Sequence, residues 1–348
     1  MPLAFVLALA CLPLLPACGT TGYILRAGYE EARILWRRKP IEELLAGDLD
    51  PETRKKLELT LAVRTFAKEQ LALTVKGSYS SVSRVDADQI VHLVTAAPRD
   101  RLVPYTWWFP IVGRVPYRSY FDQADAHALA DELNGAGYDT WVRPAIAFST
   151  LGWFDDPLLS NLLRYDEVQL TDVILHELLH NTIYLPSQTM FNESFATFVG
   201  GRGAIAFFAA AGDTAHRERA EAAWADELTF SDFLGGFLDE LTEAYANGLP
   251  LDRRAAFFRT AQDEFARRPW RTTHYRDFAT VALNNAILLH YKIYSHRLAL
   301  FEAANEHNDG DLGRTIAWVR DAVGDAPDPF AKLESALGSR RVAVGSRQ

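Results

Sequence analysis

The sequence predicts an α+β protein, with a small sheet and its packed helices on the N-terminal side and a larger, mainly helical part after it. Short runs rich in β-branched and aromatic residues lie between residues 89 and 149, separated by a strong helical pattern at 123–133. From Asp166 onward, helical apolar spacing continues almost to the end. This order favours helices segregated to one side of a small sheet, and we expect a ligand site in the cleft between the two parts.

Composition limits the function classes. The chain has 348 residues, about half of them apolar, and a formal net charge of −9 at pH 7. A nucleic-acid partner is excluded on this ground, because such proteins carry a basic surface. The short run Arg37-Arg38-Lys39 is interpreted as a solvated helix end. No obligate protein partner is evident from the sequence.

The N-terminus is typical of a secretory signal. Residues 1–17 carry no charge and are rich in Leu and Ala, but they are too few to span a bilayer. The ending Leu-Pro-Ala-Cys-Gly resembles a bacterial lipobox, in which Cys18 is lipidated after cleavage and Cys11 is discarded; an ordinary cleaved signal is the alternative. With a lipobox the protein is membrane-anchored in the cell envelope. Gly19 in place of Asp resembles lipoproteins of the outer membrane that face the periplasm.

The elements follow in order along the chain. Helical spacing at 28–45 is interrupted at Pro40, and Asp50-Pro51 opens a helix that runs to about Leu73. Strands are predicted at 89–95 and within 107–120, with Gly113 in a turn between two of them. A strand at 140–149 carries Pro144, which favours an edge position.

The C-terminal half is predicted to be helical, at residues 166–185, 190–199, 204–208, 214–228, 230–247, 252–267, 278–305 and 311–323. We therefore divide the chain into a signal peptide (1–17), an anchor with a linker helix (18–50) and one domain (51–348). That domain comprises an α/β part (51–165) and a helical part (166–348).

The central motif is His176-Glu177-Leu178-Leu179-His180. On a helix, residues i and i+4 share a face, so both imidazoles can reach one Zn²⁺ ion. Glu177 is rotated about 100° from His176 and is placed to hold a water molecule at that ion. This is the general-base position of a metalloprotease.

A third ligand is predicted thirteen residues beyond His180. Glu193 lies in Phe191-Asn192-Glu193-Ser194, where another helix begins after a break that we assign to Pro186. Two histidines and one glutamate form a known catalytic zinc set with one open position. Metal-bound histidines usually donate their other N–H to a second group. Asp172, one turn before His176, and Thr197, one turn after Glu193, are candidates; Asp172 can equally be a solvated charge near the helix start.

These residues resemble the gluzincins, zinc peptidases whose third ligand is a glutamate on a following helix. More closely, the chain resembles a family of bacterial lipoproteins named as aminopeptidases. The matching stretches are residues 38–41, 108–113, 115–121, 149–159, 176–180, 191–196 and 284–286. Gly200-Gly201 departs from the family, which has an acidic residue there, and this departure bears on support of the metal ligands or on substrate binding. The resemblance implies a gluzincin-like helical part.

The resemblance also implies further site residues. Tyr294 is the best-placed donor to the oxyanion, with Tyr291, His290 and His274 as alternatives, and packing is the competing role for the tyrosines. Asn285 is expected to support backbone or substrate. The strand before the zinc helix is expected to pair with substrate, so that Ser149 and Gly152 border the cleft.

Two functions follow from these observations. The first is a zinc-dependent envelope peptidase, by its family an aminopeptidase, that cleaves peptides with a water molecule activated by Glu177. The second is a non-catalytic envelope lipoprotein that keeps a metal site and binds peptides. A fourth protein ligand closing the site would favour the second function.

Overall fold

The computed structural model describes residues 34–85, 91–109, 112–144, 155–273 and 275–345. The strands are β1 (Lys39–Pro40), β2 (Ser81–Ser83), β3 (His92–Pro98), β4 (Trp107–Phe109), β5 (Gly113–Val115), β6 (Arg118–Tyr120), β7 (Tyr138–Pro144) and β8 (Leu158–Leu159). The helices are α1 (Ile41–Leu45), α2 (Pro51–Glu69), α3 (Gln123–Gly135), α4 (Glu167–His180), α5 (Thr189–Ala210), α6 (Thr214–Ala246), α7 (Arg254–Ala266), α8 (Asn285–Ser295), α9 (Leu298–His307), α10 (Leu312–Val323) and α11 (Pro329–Gly345). Helices thus dominate over a few small sheets, which confirms the α+β class. Within the described ranges no helix has the length and apolarity needed to cross a membrane.

The strands form three small sheets in the described part of the chain. In the largest, β3 lies between β6 and β7 and is antiparallel to both. Strand β7 is therefore an edge strand, as its proline predicted, and α3 packs on this sheet through Ala126 and Ala130. Strand β2 pairs antiparallel with β1 and parallel with β8, just before α4.

The β4–β5 hairpin lies against the loop between α4 and α5. Gly113 forms its turn with φ of +77°, as predicted. Only glycine fits here, because a Cβ would lie 2.2 Å from Ser187 Oγ. Ser187 donates its amide to the Val112 carbonyl and accepts from the Arg114 amide at 3.2 Å. The hairpin is thus attached to the loop that turns the chain from one predicted metal-binding helix to the other.

The main core lies around α4 and α5. Phe191, Phe195 and Phe198 are completely or almost completely buried and pack on Phe301 of α9 at centroid distances of 5.1–5.8 Å. Burying four such rings removes large apolar areas from water and fixes the position of α5. A second aromatic cluster joins α6, α7 and α8 and centres on Phe230 and Phe278.

Two helices that the sequence pattern divided are continuous. Helix α5 runs through Gly200, Gly201 and Gly203, which the pattern predicted as a break. These glycines are points of close approach, because a Cβ on each would collide with Asp172, Trp224 and Leu175, respectively. Helix α6 likewise passes through Thr229, whose hydroxyl donates to the Ala225 carbonyl one turn earlier.

Two other predicted boundaries were wrong. The zinc-motif helix ends at His180, not at Leu185, so Pro186 is not what breaks it. The predicted 278–305 helix is two helices separated at Arg297, whose φ is +57°. A left-handed residue cannot continue a right-handed helix, and no glycine or proline signals the break in the sequence. The final helix α11 was also not predicted.

Candidate metal centre and active site

Helix α4 presents the motif residues from a well-anchored start. The Asp166 carboxylate accepts hydrogen bonds from the Val168 and Gln169 amides at 2.9 Å, as expected of an N-cap. The apolar face of the helix is buried in the main core. His176 and His180 lie on the same face of the helix, with ring centroids 5.1 Å apart. Packing of α4 therefore fixes both imidazoles relative to the core.

Glu193 reaches the two imidazoles because the Asn192 side chain holds the connection between α4 and α5 in place. The Asn192 side chain accepts from the Leu185 amide at 3.0 Å and donates to the Leu185 carbonyl at 2.8 Å. Glu193 Oε2 consequently lies 3.2 Å from His176 Nε2 and 3.5 Å from His180 Nε2. The structure thus brings together all three residues that the sequence predicted as ligands.

These three groups fit a Zn²⁺ ion. One potential ligand atom from each residue lies within 4.8 Å of the other two. Tetrahedral ligands at zinc bond lengths near 2.0–2.1 Å are separated by roughly 3.4 Å, close to the two distances from Glu193. Over the described residues, the cluster contains His176, His180 and Glu193 and no fourth His, Cys, Asp or Glu. The donor set therefore matches an open, three-ligand site.

The charges of the site stabilise one another. Burial by itself lowers the pKa of His176, but its hydrogen bond to Glu193 and the nearby carboxylates raise it to about 9. Burial raises the pKa of Glu193, yet His180 and His176 together hold that pKa well below its usual value. Glu193 is thus an anion at neutral pH. A cation bound between the three side chains would balance this negative charge in place of the positive charge on the histidines.

Glu177 follows His176 on α4 and lies within electrostatic reach of all three predicted ligands. Burial raises its pKa, the two histidines lower it, and Glu193 and Asp156 raise it further. A carboxylate with a raised pKa is a better general base near neutrality. Asp156 is buried and its amide donates to Ser78 Oγ at 3.2 Å, which holds it in the loop next to α4.

Asp172, one turn before His176 on α4, lies against Gly200 of α5. A Cβ on Gly200 would come 2.0 Å from Asp172 Oδ1, so this glycine provides the space for the carboxylate. Burial raises the pKa of Asp172 to about 7, His176 opposes the rise, and Glu227 adds to it. Thr197 is half-buried on α5, one turn beyond Glu193. The position of Asp172 is consistent with support of His176, as the spacing predicted.

Tyrosines and a histidine form the other wall of the site. The Tyr294 ring lies 6.1 Å from the His176 ring and 5.1 Å from the His290 ring. Burial raises the pKa of Tyr294 well above its usual value, and the charge of Glu193 adds to the rise. Glu193 also adds to the burial-driven rise in the pKa of Tyr117 and of Tyr184, the latter to about 12. All three phenols therefore stay protonated and can donate hydrogen bonds.

Sequence reasoning missed Tyr117, Tyr184 and Arg143 as neighbours of the site. Tyr184 lies between His180 and Glu193 in the chain, and Tyr117 lies in one of the stretches that carry the family resemblance, so weak signals were present. The positive charge of Arg143 opposes the burial-driven rise in the pKa of Tyr294. Its position next to the ligands depends on how β7 packs on α8, which the sequence pattern does not reveal.

The structure places the other predicted residues apart from the ligands or outside the described ranges. Asn285 donates to the Pro98 carbonyl at 2.8 Å and accepts from Tyr245 at 2.8 Å, at the junction of sheet and helices. Tyr291 packs in the second aromatic cluster, 5.3 Å from Phe230. The predicted site residues outside the described ranges are Cys18, Ser149, Gly152 and His274.

The comparison with protein families gives one match. The model of the family described as "Putative aminopeptidase" matches residues 22–329, which is most of the chain. The comparisons with curated proteins and with solved structures give no match.

Proposed function

The chain belongs to the family described as "Putative aminopeptidase", and from this premise we propose that it is a zinc-dependent peptidase of the gluzincin type. One observation carries the proposal. The imidazoles of His176 and His180 and the carboxylate of Glu193 converge on a common point. Glu177 lies next to them, on the helix that carries both histidines. A Zn²⁺ ion held there would supply Lewis acidity, both to the peptide carbonyl and to a water molecule.

The side chains around this point account for the remaining chemistry. Glu177 takes a proton from the attacking water and passes it to the nitrogen of the leaving amine. Tyr294 donates a hydrogen bond to the oxygen on which negative charge develops. His176, His180 and Glu193 would hold the ion, and Asp172, one turn before His176, would help to orient its ring. The aromatic wall formed with His290 limits access of bulk water to these groups.

An aminopeptidase must also bind the free amine of its substrate. Two acids lie in the loop before β8. Asp155 accepts a hydrogen bond from the Gly77 amide at 2.9 Å and is thereby used to hold the loop. The charge of Asp156 raises the pKa of Glu177, so Asp156 lies within electrostatic reach of the general base. Neither acid is assigned as the group that binds the substrate ammonium, because Asp155 holds the loop and Asp156 is 4 % exposed.

The proposed setting is the bacterial cell envelope. The signal-like residues 1–17 and the lipobox around Cys18 support a lipid anchor in the outer membrane, with the enzyme facing the periplasm. Ser149 and Gly152 are proposed to border the substrate strand.

The second candidate is a non-catalytic lipoprotein that binds metal and peptides. A structural zinc site has four protein ligands, whereas the described residues supply three. A structural site also has no use for Glu177. Both points support the enzyme over this alternative.

Zinc content and peptide hydrolysis of the purified protein test the proposal together. We expect about one zinc per chain and cleavage of a peptide library with free, but not acetylated, N-termini. Glu177→Gln should retain the zinc and lose activity by roughly 10²–10⁴-fold. Glu240→Gln, the same change on the exposed face of α6, is the matched control. Undiminished hydrolysis by Glu177→Gln would remove Glu177 from its role.

A further inference from the structure

A row of neighbouring aromatic rings in edge-on and tilted contact leads from strand β7 to the predicted metal ligands. Trp141 lies 4.9 Å from His290, His290 lies 5.1 Å from Tyr294, and Tyr294 lies 6.1 Å from His176. The next residue on the same face of β7 is Arg143, because side chains two apart on a strand point to the same side. Its guanidinium carbon lies 5.8 Å from the Trp141 ring. The row therefore connects Arg143 with the ligands.

Arg143 lies close to the aromatic wall of the site. The guanidinium opposes the burial-driven rise in the pKa of Tyr294. Its positive charge adds to the burial-driven lowering of the pKa of His290 and opposes the rise in the pKa of Tyr117. All of these groups surround Glu193, so the guanidinium lies at the rim of the proposed substrate cleft.

The guanidinium has no carboxylate partner in the part of the chain that the structure describes. No ion pair there involves Arg143, although most arginines of the helical part have one. Among the described residues its Nε, which is buried, has no hydrogen-bond partner, and Nη1 donates to the adjacent Pro144 carbonyl at 3.3 Å. An arginine fork with a buried, unused N–H group is suited to a bidentate carboxylate.

We infer that Arg143 binds a carboxylate of the substrate, and that the protein prefers peptides carrying that group close to the scissile bond. The inference rests on the proposed peptidase function. The guanidinium acts on Tyr294, whose ring lies 6.1 Å from the His176 ring, and an extended residue spans ~3.5 Å. Only a carboxylate on one of the first residues next to the scissile bond would reach Arg143. It can be the C-terminus of a short peptide or an Asp or Glu side chain.

Kinetics on paired peptides test this inference with the full chain loaded with zinc. The first pair is Ala-Ala-Ala and its C-terminal amide. The second pair is Ala-Asp-Ala-amide and Ala-Asn-Ala-amide. We expect kcat/KM to favour the carboxylate member of at least one pair by about tenfold, mainly through KM. The first pair reports a terminal carboxylate and the second a side-chain carboxylate. Equal rates within both pairs would overturn the inference.

Variants then assign the preference to Arg143. Arg143→Met should reduce the ratio of kcat/KM for the acid to kcat/KM for the amide to about one. Arg320→Met, which removes an exposed arginine paired with Asp321, should leave this ratio unchanged. A ratio unchanged in Arg143→Met, or equal losses on both members of a pair, would contradict a direct contact. If this variant does not fold, Arg143→Lys keeps the charge without the fork; a ratio at least threefold lower supports the inference, and an unchanged ratio overturns it.

Binding separates this inference from the proposed function. Calorimetry with Glu177→Gln measures the affinity for each peptide without requiring hydrolysis. One outcome is that the wild type shows no cleavage, while Glu177→Gln still binds the acid more tightly than the amide and the added Arg143→Met change abolishes this difference. In that case the peptidase proposal fails and the carboxylate site stands. Equal affinities for acid and amide overturn the site, whether or not hydrolysis occurs.

Discussion

At the scale of single residues, Gly200 of α5 makes room for the Asp172 carboxylate of α4. The acidic residue expected at position 200 is absent, but the glycine leaves room for the Asp172 carboxylate, 2.0 Å from where a Cβ would lie. A carboxyl group one turn before His176 is thus accommodated on α4, and we expect it to support this imidazole.

Gly200→Ala should consequently damage both stability and metal binding. The new methyl group collides with the carboxylate and lies 2.9 Å from the Asp172 carbonyl, so α4 or α5 must shift. We expect a loss of about 1–3 kcal/mol in the free energy of unfolding, together with weaker zinc affinity. Urea unfolding and a chelator competition measure the two effects.

Gly236→Ala is the matched control for this change. No atom lies within 4 Å of a Cβ at Gly236, in the interior of α6. This substitution should raise stability by about 0.5–1 kcal/mol and leave zinc affinity unchanged. Equal effects of the two substitutions would show that the Asp172 contact is unimportant.

At the scale of elements, the start of α4 is tied to two other helices by charge. Glu167, in its first turn, lies 2.6 Å from Lys55 of α2 and 3.6 Å from His216 of α6. The hydrogen bond from Lys55 is the main reason that the pKa of Glu167 is lowered from 4.5 to about 2. A carboxylate in the first turn is also favoured by the helix dipole. The helix that carries both imidazoles is thus fixed at the end away from them.

Glu167→Gln should lower the Tm at neutral pH by an amount that depends on pH. Because the folded pKa is depressed, the stabilisation is fully present above the unfolded value near 4.5 and is lost as the pH falls toward about 2. The difference in Tm between wild type and variant should therefore shrink across this interval. Calorimetry from pH 7 to pH 2.5 measures it, with Glu240→Gln as the exposed control. A difference that does not vary with pH would contradict the charge assignment.

At the scale of the whole molecule, one buried network joins the largest sheet to the helical part. Arg254 of α7 pairs with Asp139 of β7 and donates to Tyr245 of α6 at 3.0 Å. The Asn285 amide donates to the same Asp139 carboxylate at 3.0 Å. Strand β7 carries Arg143 and α8 carries Tyr294, so this network sets how the two walls of the site face each other.

Arg254→Met should be strongly destabilising, because it leaves the Asp139 carboxylate buried without its main partner. Removal of one member of a buried ion pair costs roughly 3–5 kcal/mol. The double variant with Asp139→Leu should recover part of this loss, since no unpaired charge remains. Denaturant unfolding of the two single variants and the double variant measures the coupling; additive losses would mean that the pair does not act as a unit.

The sequence predicted the ligand set because its geometry is local. Spacing of i and i+4 on a helix places His176 and His180 on one face, and a following helix restricts where Glu193 can lie. The mispredicted helix boundaries have a different origin. Gly200 and Gly203 have the pattern of a break, but their role is close packing between helices, which depends on the tertiary partner.

The opposite wall of the site could be predicted only in part. Tyr294 was found through family resemblance, whereas Arg143 and Tyr117 come from segments far from the motif in the chain. Their position depends on how β7 and the β5–β6 region pack on the helices, and composition or periodicity does not encode it. Asn285 was expected to support the site, and the structure shows it in the network between sheet and helices.

Anomalous diffraction at the zinc edge, from crystals of the zinc-loaded protein, is the most direct test of the central claim. The account predicts one strong peak about 2.0–2.2 Å from His176 Nε2, His180 Nε2 and a Glu193 oxygen, with a coordination position open toward Glu177. A peak elsewhere, or a fourth protein side chain filling that position, would contradict it.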